Sequence, residues 1–367
     1  MKVIFRVDSS ITMGSGHVMR CLTLAEALTR HGAICRFICA EHNGNLIELI
    51  SQRGYLVHSL PLAMSTVIDI GSLAHSSWLG RNQAEDAALS LPFIQRFEPD
   101  WLIIDHYALD YEWESSISAL VSNIMVIDDL ADRRHDCDIL LDQTFGRNKS
   151  DYKPLVPAKC ALLCGTHYAL LRPEFSKWRY AKKSSTRLDR LHVLINLGGV
   201  DKDNYTGEVL KQIKKIDHIS QLKLSIVMGS QAPWLDSIRE LANELQCETT
   251  VLVGVNNMAE LMHSADISIG AAGSTSWERC CLGLPTIMLV TADNQRLIAT
   301  VLHEEYVAIL TDVKGLNCAI NDIMTNNEKL SVMSSNASRI CDGEGAARVI
   351  NTIESIGKVK NSESSGK

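Results

Sequence analysis

Short apolar runs alternate along the chain with longer segments in which apolar residues recur every three or four positions. The runs are rich in Val, Ile and Leu and predict buried β-strands, whereas the periodic segments predict amphipathic helices. Strands alternating with helices are typical of a parallel sheet covered on both faces. In the first half we predict strands at 2–7, 33–39, 56–60, 101–104, 124–127, 139–142 and 161–164, and helices at 16–31, 45–52 and 82–97.

The same alternation starts afresh at Leu191, after a stretch rich in Lys, Arg and Ser that has few apolar residues. That stretch is typical of a solvated linker, with a basic phosphate grip as the alternative. The last residues are mostly Lys, Ser, Gly and Asn, so we expect a flexible end. The predicted organisation is an N-terminal domain 1–176, a linker 177–190, a C-terminal domain 191–356 and a tail 357–367.

The fold class predicted from this pattern is α/β, with two Rossmann-like, doubly wound domains. In such domains ligands bind at the carboxyl ends of the parallel strands. We therefore expect the two sheets to face a central cleft, the layout of many sugar-nucleotide enzymes.

Composition narrows the class of protein. A chain of 367 residues is longer than a single hydrophobic core usually serves. Its net charge of −7 argues against nucleic-acid binding. No apolar run approaches the roughly 20 residues of a membrane helix, and the first residues enter a strand instead of an export signal. The 11 cysteines are scattered without zinc spacing. We expect a cytoplasmic protein with reduced thiols and no membrane partner.

Two glycine turns carry candidate chemistry. After the first strand, Gly14-Ser-Gly16-His17 opens a helix, where exposed backbone N–H groups favour an anion and an imidazole can move a proton near neutral pH. The alternative is a polar, helix-capping histidine. In the second half, Gly270-Ala-Ala-Gly273-Ser274-Thr275 offers N–H groups and hydroxyls to a pyrophosphate. Glu278, one helical turn later, suits a ribose diol or is an ordinary first-turn acid.

Several motifs spread over nearly the whole chain resemble the sugar-nucleotide hydrolase family of pseudaminic acid biosynthesis, which is related to glycosyltransferases of GT-B architecture. The resemblance implies hydrolysis of UDP-2,4-diacetamido-2,4,6-trideoxy-β-L-altropyranose with inversion, without a metal or other cofactor. It also implies that His17 is the base that deprotonates water. The motifs are Arg6-Val-Asp8-Ser9-Ser10, Gly14-Ser-Gly16-His17-Val-Met-Arg20-Cys, Asp105-His-Tyr107, Ile127-Asp-Asp129, Gly165-Thr-His-Tyr168-Ala-Leu-Leu-Arg172-Pro-Glu-Phe and Gly273-Ser-Thr-Ser-Trp-Glu278.

Other assignments leave alternatives open. Asp8 orients His17 or holds the water, or else bonds to local turn N–H groups. His106 touches the sugar or packs in the core, and Arg172 binds phosphate or ties the domains together. Trp78 lies in a long loop able to cover the sugar, although core packing is the simpler interpretation. The acids Asp105, Asp128 and Asp129 resemble a magnesium site, which we decline because acids at strand ends are common in turns.

The predicted site has His17 as the catalytic residue and no metal ligand. The predicted partner is a small UDP-sugar, with no nucleic acid or membrane, and a monomer is the expected state. Alternative functions are a GT-B glycosyltransferase, a UDP-N-acetylglucosamine 2-epimerase and a non-catalytic nucleotide-sugar binding protein. The substrate-binding residues are Asp8, Gly14, Gly16, Arg20, Tyr107, Arg172, Gly273, Ser274, Thr275, Glu278, Asn294 and Gln295.

Overall fold

A computed structural model of the protein describes residues 1–62, 73–181, 190–230 and 232–364, with side-chain surroundings described to residue 357. The chain forms two compact units. Unit 1 comprises Met1–Leu170 and Glu344–Lys367, and unit 2 comprises Leu171–Gly343. None of the described helices is long and apolar enough to cross a membrane.

Unit 1 is built on a seven-stranded parallel sheet with strand order β3-β2-β1-β4-β5-β6-β7. The central strands are buried on both faces, as expected where helices cover a parallel sheet. Its elements are β1 (Lys2–Val7), α1 (Gly16–Arg30), β2 (Ile34–Ala40), α2 (Ile47–Gln52), β3 (Leu56–Leu60), α3 (Gln83–Phe97), β4 (Trp101–Asp105), α4 (Tyr111–Ile117), β5 (Asn123–Ile127), β6 (Ile139–Asp142), α5 (Lys149–Tyr152) and β7 (Ala161–Cys164).

Unit 2 repeats this construction with a six-stranded parallel sheet in the order β10-β9-β8-β11-β12-β13. Ile and Leu side chains of its strands form one apolar core with the neighbouring helices. Its elements are α6 (Pro173–Arg179), β8 (Leu191–Asn196), α7 (Tyr205–Ile213), β9 (Leu222–Met228), α8 (Leu235–Asn243), β10 (Glu248–Val253), α9 (Met258–Ser264), β11 (Ile267–Ala271), α10 (Thr275–Cys281), β12 (Thr286–Leu289), α11 (Arg296–Glu304), β13 (Ala308–Leu310), α12 (Leu316–Thr325) and α13 (Asn327–Ile340).

The boundaries between the two units differ from the domain boundaries that the sequence predicts. Helix α6 spans the end of the predicted N-terminal domain and the start of the predicted linker, and it lies in unit 2, where Arg179 donates to the carbonyls of Cys281 and Cys341 at 2.8 and 2.9 Å. A last helix, α14 (Gly345–Ser364), returns to unit 1 and buries Val349 and Ile353 in the core beside α1. The predicted linker residues 182–189 lie outside the described residues.

The predicted flexible tail is helical through Ser364, because it continues α14. The sequence predicts a polar end from the composition after Gly357. Apolar residues among 349–353 pack the helix against the core. The polar residues after them continue the same helix.

Candidate active site

The first glycine turn links β1 to α1 and sets the position of His17. Gly14 adopts a left-handed backbone with φ +76°, and its N–H donates to the carbonyl of Ser10 at 2.9 Å. Glycine adopts this conformation without a steric penalty. Helix α1 then begins at Gly16, so His17 lies in the first helical turn with only 9% of its surface exposed.

His17 forms a buried pair with Asp105, the last residue of β4. The distance from His17 Nδ1 to Asp105 Oδ1 is 2.6 Å. Strands β1 and β4 are adjacent and parallel, so the carboxyl end of β4 lies beside the start of the helix that follows β1. Asp105 is completely buried. Sheet topology therefore brings together two residues that are 88 positions apart.

Arg20, one turn after His17 on α1, holds the other side of Asp105. Its Nε lies 2.6 Å from Oδ2 and its Nη2 lies 2.7 Å from Oδ1. Burial alone raises the pKa of Asp105, but the Arg20 charge, followed by that of His17, outweighs it and holds the pKa well below its usual range. Asp105 is therefore a carboxylate.

The ionised Asp105 determines which His17 nitrogen carries the proton. Arg20 Nη2 also lies 3.2 Å from Nδ1, but a 2.6 Å contact between Nδ1 and an ionised carboxylate needs a proton that only Nδ1 can carry. The shorter 2.6 Å contact therefore defines the tautomer, with Nδ1–H donating to Asp105. Nε2 is then left with a free lone pair. This arrangement can accept a proton and stabilise the resulting imidazolium.

Tyr107 and Asp129 complete the wall beside His17. The Tyr107 ring meets the imidazole edge-on, with ring centroids 4.6 Å apart. Its hydroxyl donates to Asp129, which also accepts from Arg20 Nη1 at 2.9 Å. The predicted substrate-binding residue Arg20 thus binds two internal carboxylates. We interpret it as a residue that positions Asp105.

The acids at the strand ends are paired with cations of the protein. Asp105 and Asp129 bind Arg20, and Asp128 binds Arg133 at 2.8 Å. Burial raises the pKa of Asp128, but Arg133 outweighs it and brings the value to about 2. Across the described residues, no group of three or more His, Cys, Asp or Glu side chains is arranged to hold a metal ion.

Asp8 does not contact His17, contrary to the predicted orienting role. Its carboxylate accepts from Arg6 at 2.6 and 2.9 Å and from the backbone N–H of Ala40 at 2.7 Å. His106 Nε2 lies 3.2 Å away. The strong pairing of a buried acid with a buried arginine explains the difference, because an unpaired charge there would be costly. Asp8 therefore fixes the end of β1.

Trp78 is half-buried and lies at the site instead of in the core. Its ring stacks on Tyr107 with centroids 5.6 Å apart and stands edge-on to His17 at 6.3 Å. The centroid of the His75 ring lies 4.6 Å from that of Trp78 and 5.3 Å from that of Tyr107. Three rings thus line the space beside the imidazole.

The second glycine turn joins β11 to α10 in unit 2. At Gly270 an added Cβ would clash with the Arg279 guanidinium, so this glycine makes room for a buried cation. Arg279 donates to the carbonyl of Ala271 at 2.7 Å and to Ser276 Oγ at 3.0 Å. At Gly273 an added Cβ would meet open space. Ser274 precedes α10 without a capping bond from its side chain, and Thr275 begins the helix.

Glu278 lies one turn into α10, partly buried, with Arg172 nearby. Loss of solvation raises the pKa of Glu278 to about 7, against the opposing charge of Arg172 and then that of Arg279. Arg172 pairs with Glu174 at 3.0 Å and donates to the carbonyl of Asn256 at 3.4 Å. These partners all belong to unit 2. The bond to Asn256 joins the two domains as the sequence predicts their bounds, but both residues belong to the same unit of the structure.

Asn294 and Gln295 form a short 3₁₀ turn before α11, as a helix-opening segment should. Asn294 is exposed. Gln295 Oε1 accepts from the backbone N–H of Thr291 at 3.0 Å and from its hydroxyl at 3.1 Å. That oxygen thus shapes the loop after β12.

The sequence reasoning missed Asp105 as the partner of His17 and Asp129 as the partner of Tyr107. Both residues stand in motifs noticed at strand ends, Asp105-His-Tyr107 and Ile127-Asp-Asp129. The available signal was their place at the carboxyl ends of predicted strands, since the carboxyl ends of parallel strands meet at one edge of a sheet.

Sequence comparison relates the chain to known proteins. Residues 193–353 match the glycosyltransferase family 28 C-terminal domain. The chain is 29% identical over 306 residues to the UDP-2,4-diacetamido-2,4,6-trideoxy-β-L-altropyranose hydrolase of Campylobacter jejuni, covering 83% of this chain and 97% of that protein. It is 27% identical over 158 residues to a Lactococcus lactis N-acetylglucosamine transferase that acts on pyrophosphoryl-undecaprenol, covering 40% of this chain and 44% of the transferase.

The fold has a solved counterpart. The crystal structure of Acinetobacter baumannii MurG superposes with a TM-score of 0.65 at 14% identity, covering 96% of this chain and 99% of that chain. This likeness and the two parallel sheets confirm the predicted α/β class with two Rossmann-like domains, the GT-B fold. Over most of its length the chain is similar to the Campylobacter UDP-sugar hydrolase, and its fold is the GT-B fold.

Proposed function

We propose that the protein hydrolyses UDP-2,4-diacetamido-2,4,6-trideoxy-β-L-altropyranose to UDP and the free sugar. The observation that carries the proposal is the His17–Asp105 pair, a general base with an orienting carboxylate. The relationship to the Campylobacter hydrolase supplies the substrate.

In the proposed reaction, water attacks the anomeric carbon and His17 Nε2 accepts its proton. The bond between that carbon and the UDP oxygen breaks, and its electron pair leaves with UDP. Asp105 stabilises the imidazolium through Nδ1–H, and Arg20 keeps Asp105 ionised and oriented. A positioned base of this kind typically contributes about 10²–10⁴-fold to a rate.

Unit 2 supplies the nucleotide site in this proposal. The turn Gly273-Ser274-Thr275 offers backbone N–H groups and hydroxyls to the diphosphate, and the Glu278 carboxylate accepts bonds from the ribose hydroxyls. Arg172, close enough to influence Glu278, is available as a phosphate cation. Charge developing on UDP is then stabilised by protein dipoles, and the reaction proceeds without a metal ion.

Hydrolysis in oxygen-18 water tests the proposal. We expect the label in the free sugar, unlabelled UDP, and a first-formed product of inverted, α configuration when the reaction is followed by NMR. Addition of EDTA should leave the rate unchanged. Label in UDP would contradict attack at carbon, and retained configuration would contradict single displacement.

Sugar transfer to an acceptor hydroxyl is a second candidate, because part of the chain resembles an N-acetylglucosamine transferase. The same assay separates the two reactions. A transferase without acceptor should release UDP only slowly, an epimerase should return a UDP-sugar, and a binding protein should release neither product.

A further inference from the structure

Residues 75–81 form an anchored segment beside His17. Leu79 is 1% exposed and packs in the core of unit 1, and Gly80 ends the 3₁₀ turn of residues 76–79 with φ +72°. Arg81 is 4% exposed and donates to the carbonyl of Pro61. The residues on the C-terminal side of Trp78 are thus fixed in place. The fold itself therefore holds the Trp78 ring beside His17.

The wall that this segment makes with Tyr107 is mostly apolar. Trp78 stacks on Tyr107 with an interplanar angle of 28°, and the Tyr107 hydroxyl is already bound to Asp129. Burial lowers the pKa of His75, so its ring is neutral at physiological pH. The aromatic faces of Trp78 and Tyr107 in this wall therefore favour C–H groups over a hydroxyl, which would lose its bonds to water against them.

We propose that Trp78 is a specificity-determining residue that packs against the C6 methyl group of the sugar and selects 6-deoxy substrates over 6-hydroxy ones. This inference rests on the proposed function, because it takes the sugar at His17 as the ligand. The geometric ground is the ring's position, 6.3 Å from the imidazole that acts on the same sugar. Contact with an aromatic face favours a sugar that carries a methyl group over one that carries a hydroxymethyl group by about 10–100-fold in kcat/KM.

The test compares kcat/KM for the 6-deoxy substrate and for the same UDP-sugar carrying a hydroxyl at C6. The parent should prefer the 6-deoxy sugar. In Trp78→Ala we expect the preference to fall about tenfold, mainly through KM of the 6-deoxy sugar, with the affinity for UDP alone unchanged. Trp78→Phe, which keeps an aromatic face, should retain most of the preference. Trp178→Ala is the matched control, since Trp178 is also half-buried and packs on a histidine, His263, in unit 2.

Each outcome decides the matter. An unchanged preference in folded Trp78→Ala overturns the inference and leaves the proposed function standing if the parent still hydrolyses the sugar. A parent that does not hydrolyse it overturns the proposed function itself. Should Trp78→Ala fail to fold, Trp78→Gln takes its place, and it should shift the preference toward the hydroxylated sugar.

Discussion

At the residue scale, Asp105 links the chemistry of His17 to the charge network of unit 1. The carboxylate accepts from His17 and from two nitrogens of Arg20, and all three contacts lie between 2.6 and 2.7 Å. Such pairing keeps a buried acid ionised. The imidazole then carries its proton on Nδ1 and presents Nε2 as the base.

Asp105→Asn should reverse the tautomer of His17. The amide can donate to Nδ1, which moves the ring proton to Nε2 and removes the base, so we expect kcat to fall about a thousandfold or more. The measurement is kcat together with nitrogen-15 chemical shifts of His17. Asp132→Asn, a change at an exposed acid paired with Arg133, should leave both unchanged. An Asp105→Asn protein that keeps the parent tautomer and rate would contradict the assignment.

Glu278 gives a pH dependence to nucleotide binding. Because its pKa is raised to about 7, the side chain is mostly protonated at pH 6 and ionised at pH 8. A carboxylate accepts stronger hydrogen bonds from ribose hydroxyls than an acid does. Affinity for UDP should therefore rise from pH 6 to pH 8 by up to about tenfold more in the parent than in Glu278→Gln. The comparison by calorimetry cancels the ionisation of UDP itself, and equal pH slopes would rule the role out.

The sequence predicts His17 but not its partner for a physical reason. A helix-opening histidine after a glycine turn is a local pattern, readable from residues 14–17 alone. The contact with Asp105 depends on which strand pairs with β1, and β4 does so after two intervening strands. Asp8 is nearer to His17 in the sequence, but its carboxylate is bound by Arg6.

At the element scale, the two glycines of the strand-turn-helix unit of β11 and α10 have different roles, one in folding and one in the proposed binding. Gly270 faces the buried Arg279, and Gly273 faces open space. The two glycines share one motif but meet different surroundings. The sequence therefore predicts the turn, whereas the requirement for Gly270 arises from a guanidinium nine residues away.

Gly270→Ala should destabilise unit 2, because its Cβ would displace a fully buried cation that holds the carbonyl of Ala271. We expect a loss of about 2–4 kcal/mol in the free energy of unfolding of that unit. Gly273→Ala should fold like the parent and instead weaken UDP binding, if a phosphate approaches the turn. Thermal denaturation and UDP titration of both variants check this. Equal stability of the two variants would show that Arg279 moves aside at little cost.

At the scale of the whole molecule, most strand positions could be predicted because short apolar runs separated by polar segments leave few alternatives. Strands β1, β3, β6 and β7 have the predicted bounds. Helix α4 was not predicted, since its seven residues carry too short a periodic pattern around Trp113 and Ile117. The return of α14 to unit 1 could not be read from local sequence, because an amphipathic helix fits either sheet.

The wider account depends on His17 as the base, and His17→Ala tests it most directly. The measurement is the rate of UDP release from the diacetamido sugar nucleotide, made on protein shown to be folded and to bind UDP with the parent affinity. The account predicts a rate about 10²–10⁴-fold below that of the parent. Release of UDP by this variant at the parent rate would contradict it.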